Sequence, residues 1–268
     1  MYSDTVDYFA DLGKSKLVML MRSPLAFLVG AMLAGAYIGF GDIIMFTVGA
    51  HVDPAYSHLI MGAAFAAGLT FVIFAGSELF TGTALYMSCA LFKGKSNIAG
   101  AILLWVVCWI GNLIGCLILA YLLNLGGGGV LLGDGSATFF KVVIAKMSGS
   151  SSSLFARGIL CNWLVCLAVW MCARTKSDAA KLGLIFWAIF VFVASGFEHS
   201  IANMFAFALA LMGAHPAEVT LAGAVHNLVW VTLGNLVGGG IFVAFAYWMQ
   251  NRAPAPAAAS PVAAATRG

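Results

Sequence analysis

Six apolar runs fill most of the 268 residues, at about 25–49, 59–92, 98–124, 154–173, 181–213 and 220–249. Each is long enough to cross a bilayer, whose roughly 30 Å hydrocarbon core takes about 20 helical residues. Two of them are longer than one crossing needs, and a polar cluster interrupts each. The clusters are Gly76-Ser77-Glu78-Leu79-Phe80-Thr81-Gly82-Thr83 and Gly196-Phe197-Glu198-His199-Ser200-Ile201-Ala202-Asn203. Lipid offers no partner to open backbone N–H and C=O groups, so an interrupted helix survives only where it is buried in protein or lines a cavity. The two breaks are therefore predicted to meet in the interior. Corresponding interruptions in two halves of a chain point to a transport site, as do ionisable Glu198 and His199 side by side at membrane depth.

Composition agrees with a chain built for lipid. Hydrophobic residues make up 62% and charged residues 9%, against roughly 25% charged in a soluble domain. A net charge of +3, scattered among loops, gives no nucleic-acid surface. Asp4, Asp7 and Asp11 precede the first apolar run and no small-residue cleavage site follows, so the start does not read as a signal peptide and the mature chain is expected to begin near Met1. Cys89, Cys108, Cys116, Cys161, Cys166 and Cys172 lie in or beside apolar runs without a C-x-x-C pair, which predicts buried free thiols. His51, His58, His215 and His226 lack metal-ligand spacing, and no metal or cofactor is expected.

The halves correspond. Glu78 and Glu198 are 120 residues apart, and Gly111-Asn112-Leu113 and Gly234-Asn235-Leu236 are 123 apart. Three spans per half is an odd number, so the repeats, about 24–124 and 154–249, must run oppositely through the membrane. The expected fold is all-α and integral to the membrane, with six transmembrane helices in two inverted three-helix repeats and helices 2 and 5 broken. Residues 1–23 have the spacing of an amphipathic helix on the membrane surface, ended by Pro24. Residues 24–250 form one membrane domain, and the Pro/Ala-rich end, 251–268, is predicted to be disordered. Lys14, Lys16, Arg22, Lys93, Lys95, Arg174, Lys176, Lys181, Arg252 and Arg267 fall on the side of both termini. That side should be the cytoplasm. Gly35/Gly39, Gly111/Gly115 and Gly234/Gly238 have the spacing that lets helix backbones approach closely.

The residues at 76–82 and 196–204, together with Ala145-Lys146, Cys161-Asn162-Trp163-Leu164-Val165-Cys166-Leu167-Ala168 and Leu233-Gly234-Asn235-Leu236-Val237-Gly238-Gly239, resemble the formate/nitrite transporter family over residues 22–250. The resemblance implies a homopentamer of aquaporin-like protomers in the cell's inner membrane, each with its own pore for a small monovalent anion. The paired Asn-Pro-Ala boxes of water channels are absent. Glu78, Gly82 and the Cys-Asn-Trp at 161–163 look like the nitrite branch; the formate branch more often has Asp and Ser in the first break. On this resemblance His199 is the central pore histidine, Thr81 its hydrogen-bonding partner, Asn162 their neighbour and Lys146 an anion attractor in the outer vestibule. Leu69, Leu79, Phe80 and Val165, with Phe65 and Phe192, would form apolar constrictions on either side of the histidine. Asp42 departs from the pattern, an acid in a stretch that the family usually keeps apolar.

An isolated charge in an apolar slit costs many kcal/mol. Histidine exchanges protons near neutrality, so His199 held by Thr81 could pass a proton to nitrite and let nitrous acid through. Alternatively, His199 simply serves backbone freed by the break. Glu78 and Glu198, which could be read as an acid–base pair, are more simply supports with Asn203, their carboxylates taking backbone N–H groups opened by the breaks. Formate or hydrosulfide is the near alternative substrate. An intramembrane enzyme using Ser200 or Ser77 with His199 is remote, because the chain has neither a G-x-S-x-G elbow nor an H-E-x-x-H pair.

Overall fold

The computed structural model describes residues 2–252, and every regular element among them is helical. The part of the expected disordered tail from Ala253 onward, with Arg267, lies outside the described residues. The chain runs through α1 (Ser3–Arg22), α2 (Pro24–Ala50), α3 (Pro54–Phe71), α4 (Phe80–Phe92), α5 (Ile98–Leu125), α6 (Gly129–Leu132), α7 (Ser136–Met147), α8 (Ser151–Cys172), α9 (Asp178–Ala194), α10 (Ser200–Met212), α11 (Leu221–Val237) and α12 (Ala246–Gln250). A π-helical turn, Val72–Gly76, extends α3, and a longer π stretch, Gly238–Phe245, joins α11 to α12. Five of the resulting helices are long and apolar enough to cross a membrane: Pro24–Ala50, Pro54–Gly76, Ile98–Leu125, Ser151–Cys172 and Leu221–Gln250. The apolar run at 181–213 contains no single helix of that length, because it is divided into α9, of 17 residues, and α10, of 13.

Chemistry at the helix starts explains where the elements begin. Asp53, Asn97, Ser150, Ser177 and Thr220 each accept a hydrogen bond from a backbone N–H in the first turn of the helix that follows, which stabilises by about 1 kcal/mol each. The interruptions have a cause of their own. Gly76 and Gly196 close α3 and α9 with φ of +78° and +70°, a left-handed conformation that glycine adopts without steric cost.

Packing follows the same plan in both halves. Helix α2 lies against α3 and α5, and α8 lies against α9 and α11. Backbones touch where the glycine pairs fall: a Cβ at Gly35 would collide with the carbonyl of Asn112 on α5, and one at Gly234 with that of Phe155 on α8. The short helices cross over, α10 packing on α5 and α2, and α4 on α8 and the π stretch. Helix α1 buries Val6, Phe9, Ala10 and Leu20 on one face and rests along α4, with Phe9 stacked on Trp170 at 5.6 Å between ring centroids. The connection between the apolar runs at 98–124 and 154–173 contains the 12-residue helix α7. All six cysteines are buried free thiols.

Candidate functional site

The site is built where α4 and α10 begin. Each helix start is pinned by an asparagine reaching from a neighbouring span. Asn112 of α5 accepts from Phe80 N–H at 2.9 Å and donates to the carbonyl oxygens of Ala31 (2.7 Å) and Glu78 (2.9 Å). Asn235 of α11 accepts from Ser200 N–H at 2.9 Å and donates to the carbonyl oxygens of Gly158 (2.8 Å) and Glu198 (3.0 Å). The residue two before each start is anchored as well: Glu78 N–H donates to Gly30 O at 3.0 Å, and Glu198 N–H to Arg157 O at 3.3 Å. Leaving such buried backbone groups open would cost about 1–3 kcal/mol apiece.

The two glutamates differ from expectation. Their carboxylates take lysines in place of backbone N–H groups, because the asparagines already serve the backbone. Glu78 pairs with Lys16 of α1, and the Tyr86 hydroxyl donates to it at 3.4 Å. Glu198 accepts from Lys146 Nζ of α7 at 2.9 Å and from Asn203 Nδ2 at 2.6 Å. Asn203 also donates to Asn227 Oδ1, and Asn227 Nδ2 donates to Lys146 O, each at 2.8 Å. Lys146, which the resemblance places in the vestibule as an anion attractor, is also the ion-pair partner of Glu198, its side chain 18% exposed.

His199 sits at the centre, 3% exposed. As the N-cap of α10 its Nδ1 accepts from Ala202 N–H at 3.1 Å. The neutral ring therefore carries its proton on Nε2 and donates to Thr81 Oγ1, also at 3.1 Å. That bond joins the starts of the two short helices, whose positive dipole ends meet there. Asn162 of α8 donates to Thr81 O (3.1 Å) and Asn235 O (2.6 Å), and the Cys166 thiol also reaches Thr81 O.

A cavity of about 560 Å³ leads to this point from the face that carries the α2–α3 connection and α7. His199, Glu198, Asn203, Lys146, Phe65 and Phe192 line it, with Lys141, Arg157 and Asp42 among the rest. Phe65 and Phe192 meet edge to face at 5.8 Å, and Phe192 stacks on the His199 ring at 6.1 Å. Leu69, Leu79, Phe80 and Val165 are buried and stand outside this cavity.

Sequence reasoning placed Thr81, Asn162 and His199 from the resemblance, and the structure brings those three together. It used Asn112 and Asn235 only as landmarks of a repeat, and did not find Lys16, Asn227 or Tyr86. The shared Gly-Asn-Leu triplet could have suggested that the asparagines serve the breaks. No groups of three or more His, Cys, Asp or Glu suited to a metal occur among the described residues.

The sequence model of the formate/nitrite transporter family matches residues 3–249. The chain is 43% identical over 263 residues to the nitrite transporter NirC of Escherichia coli (strain K12), covering 98% of this chain and 96% of that protein. Among solved structures, an FNT family ion channel superposes with a TM-score of 0.90 at 42% identity, covering 92% of this chain and 99% of that one. A pentameric formate channel with formate bound follows at a TM-score of 0.74 and 29% identity, over 86% and 98%.

Proposed function

The chain belongs to the formate/nitrite transporter family, and on that premise we propose that it is a nitrite channel whose pore runs through the vestibule to His199 and out between the starts of α4 and α10. It is a multi-pass membrane protein of the transport class. Nitrite is favoured over formate by the NirC relatives, at 43% and 42% identity, against 38% for a probable formate transporter of Methanothermobacter thermautotrophicus and 31% for the formate channel FocA of Escherichia coli. The observation that carries the pore reading is the His199–Thr81 hydrogen bond, which holds a titratable ring between two helix N-termini at the floor of the cavity.

The wider architecture completes the reading. The two broken segments, 54–92 and 178–212, each count as one crossing, giving six spans in two inverted, aquaporin-like repeats. Five such protomers assemble, each with its own pore. Leu25, Val29, Leu33, Phe40 and Ile44 are exposed along α2, an apolar face suited to lipid or a neighbouring protomer. The basic side, carrying α1 and both termini, faces the cytoplasm of a cell whose inner membrane holds the channel. Helix α1, Ser3–Arg22, is a surface helix on that side.

Lys141, Lys146 and Arg157 bias the vestibule toward anions. Beyond it Phe65 and Phe192 narrow the path, with Leu69, Leu79, Phe80 and Val165 lining the route past the histidine. At His199 the arriving negative charge offsets a second ring proton, taken up as Nδ1 gives up its bond to Ala202 N–H. The ring then passes its Nε2 proton to a nitrite oxygen: the N–H bond breaks, an O–H bond forms, neutral nitrous acid leaves, and the ring, now neutral with its proton on Nδ1, regains the Nε2–H tautomer by exchanging protons with water. Uptake by reconstituted vesicles should therefore rise as pH falls, and His199→Asn should abolish that dependence. Full pH dependence in the variant overturns the exchange step.

A further inference from the structure

Asp42 is a carboxyl group that the pore reading leaves unused. It lies in the middle of α2, 1% exposed, on the wall of the vestibule shared with His199 and Lys146. Its Oδ2 is out of reach of water and has no hydrogen-bond partner among the described residues. The titratable and charged groups that line the same cavity are Lys141 and Lys146 from α7, Arg157 from α8, His58 from α3, and Glu198 and His199 from the second break, and the Cys116 thiol of α5 lies near Asp42 behind the wall. Lys146, the cation acting on Asp42, is already bonded to Glu198. A carboxylate with one oxygen sealed and unpartnered would carry a desolvation cost of several kcal/mol. A carboxylic acid would carry far less, and its proton, held on Oδ1, would give the wall a donor.

We propose that Asp42 is held as a neutral acid and donates a hydrogen bond to the anion in the vestibule, forming with Lys146 a subsite for a small monovalent oxyanion. A neutral donor binds an anion without the repulsion of a carboxylate, and no proton needs to leave it during passage. The subsite requires only that the anion enter by this cavity and is independent of proton exchange at His199.

The test is initial nitrite flux into proteoliposomes of the full chain, measured against nitrite concentration with equal pH on both sides and repeated over a pH series. Asp42→Leu removes the donor and should raise the half-saturating concentration about tenfold, the scale of one hydrogen bond to a charged group. Asp42→Asn keeps an N–H donor in the same shape and should stay within about twofold of the wild type at low pH. As pH rises and the acid ionises, the wild type should lose affinity while Asp42→Asn does not; the other titratable groups are common to both, so the difference isolates Asp42. An unchanged half-saturating concentration in Asp42→Leu overturns the subsite. So does tighter nitrite binding by Asp42→Asn at every pH, which would mean that the native group is a repelling carboxylate. The exchange reading is judged separately, on the maximal rate of His199→Asn, so the two can fail independently.

Discussion

At the first break an asparagine from the next span bonds Phe80 N–H and Glu78 O; at the second an asparagine at nearly the same offset bonds Ser200 N–H and Glu198 O. Each glutamate side chain then takes a lysine from a helix outside the long spans, Lys16 on α1 and Lys146 on α7. The frame is duplicated but the residues at its centre are not. The position of His199 is occupied in the first break by Leu79, and that of Thr81 in the second by Ile201. His199 caps α10, whereas α4 begins without a side-chain cap. One break supplies a ring that can titrate, the other the hydroxyl that meets it, and neither makes the site alone. A duplicated scaffold therefore fixes position, and differences in side chain at equivalent points provide chemistry.

The sharpest way to break the comparison is to remove the frame. Asn112→Leu and Asn235→Leu each leave two carbonyls and one N–H short of a partner in a buried site, for a loss of about 3 kcal/mol or more. Thermal unfolding in detergent should show a large drop in both, and tolerance of one alone would mean that the frames are not equivalent. Next in size are the ion pairs. Lys16→Ala or Lys146→Ala strands a buried glutamate and should cost about 3 kcal/mol, with Glu78→Gln or Glu198→Gln in the same chain restoring most of it. Lys146→Ala should also weaken apparent nitrite affinity at low salt, and Lys16→Ala should not, because Lys146 lines the vestibule and Lys16 does not. The smallest effect on stability belongs to the centre. His199→Leu gives the second break the residue of the first and loses one cap, about 1 kcal/mol, yet nitrite flux should fall to background. Retained flux would detach the pore from His199.

Much of this was legible in the chain, for identifiable reasons. Long apolar runs declare spans through composition alone, and Gly76 and Gly196 mark the breaks because few other residues accept a positive φ. Helix α7 was missed because Ser136 to Met147 lies between glycine-rich and serine-rich stretches and is too short and too polar to register as a span. The ion pairs were out of reach for a different reason. Lys16 meets Glu78 across 62 residues and Lys146 meets Glu198 across 52, and no local pattern states which loop lysine folds back. Asp42 showed the reverse: sequence flagged it as out of place, and only the packing revealed a sealed oxygen.

The asparagine locks also bear on the order in which the protein can be made. Asn112 follows Glu78 by 34 residues and Asn235 follows Glu198 by 37, so each break can be stitched by the next long helix to leave the ribosome, within its own half. The first half need not wait for the second to hide its open backbone. The His199–Thr81 bond, spanning 118 residues, cannot form until the start of α10 has been made. Synthesis thus supplies every residue that stitches the first break before any residue of the second has been made.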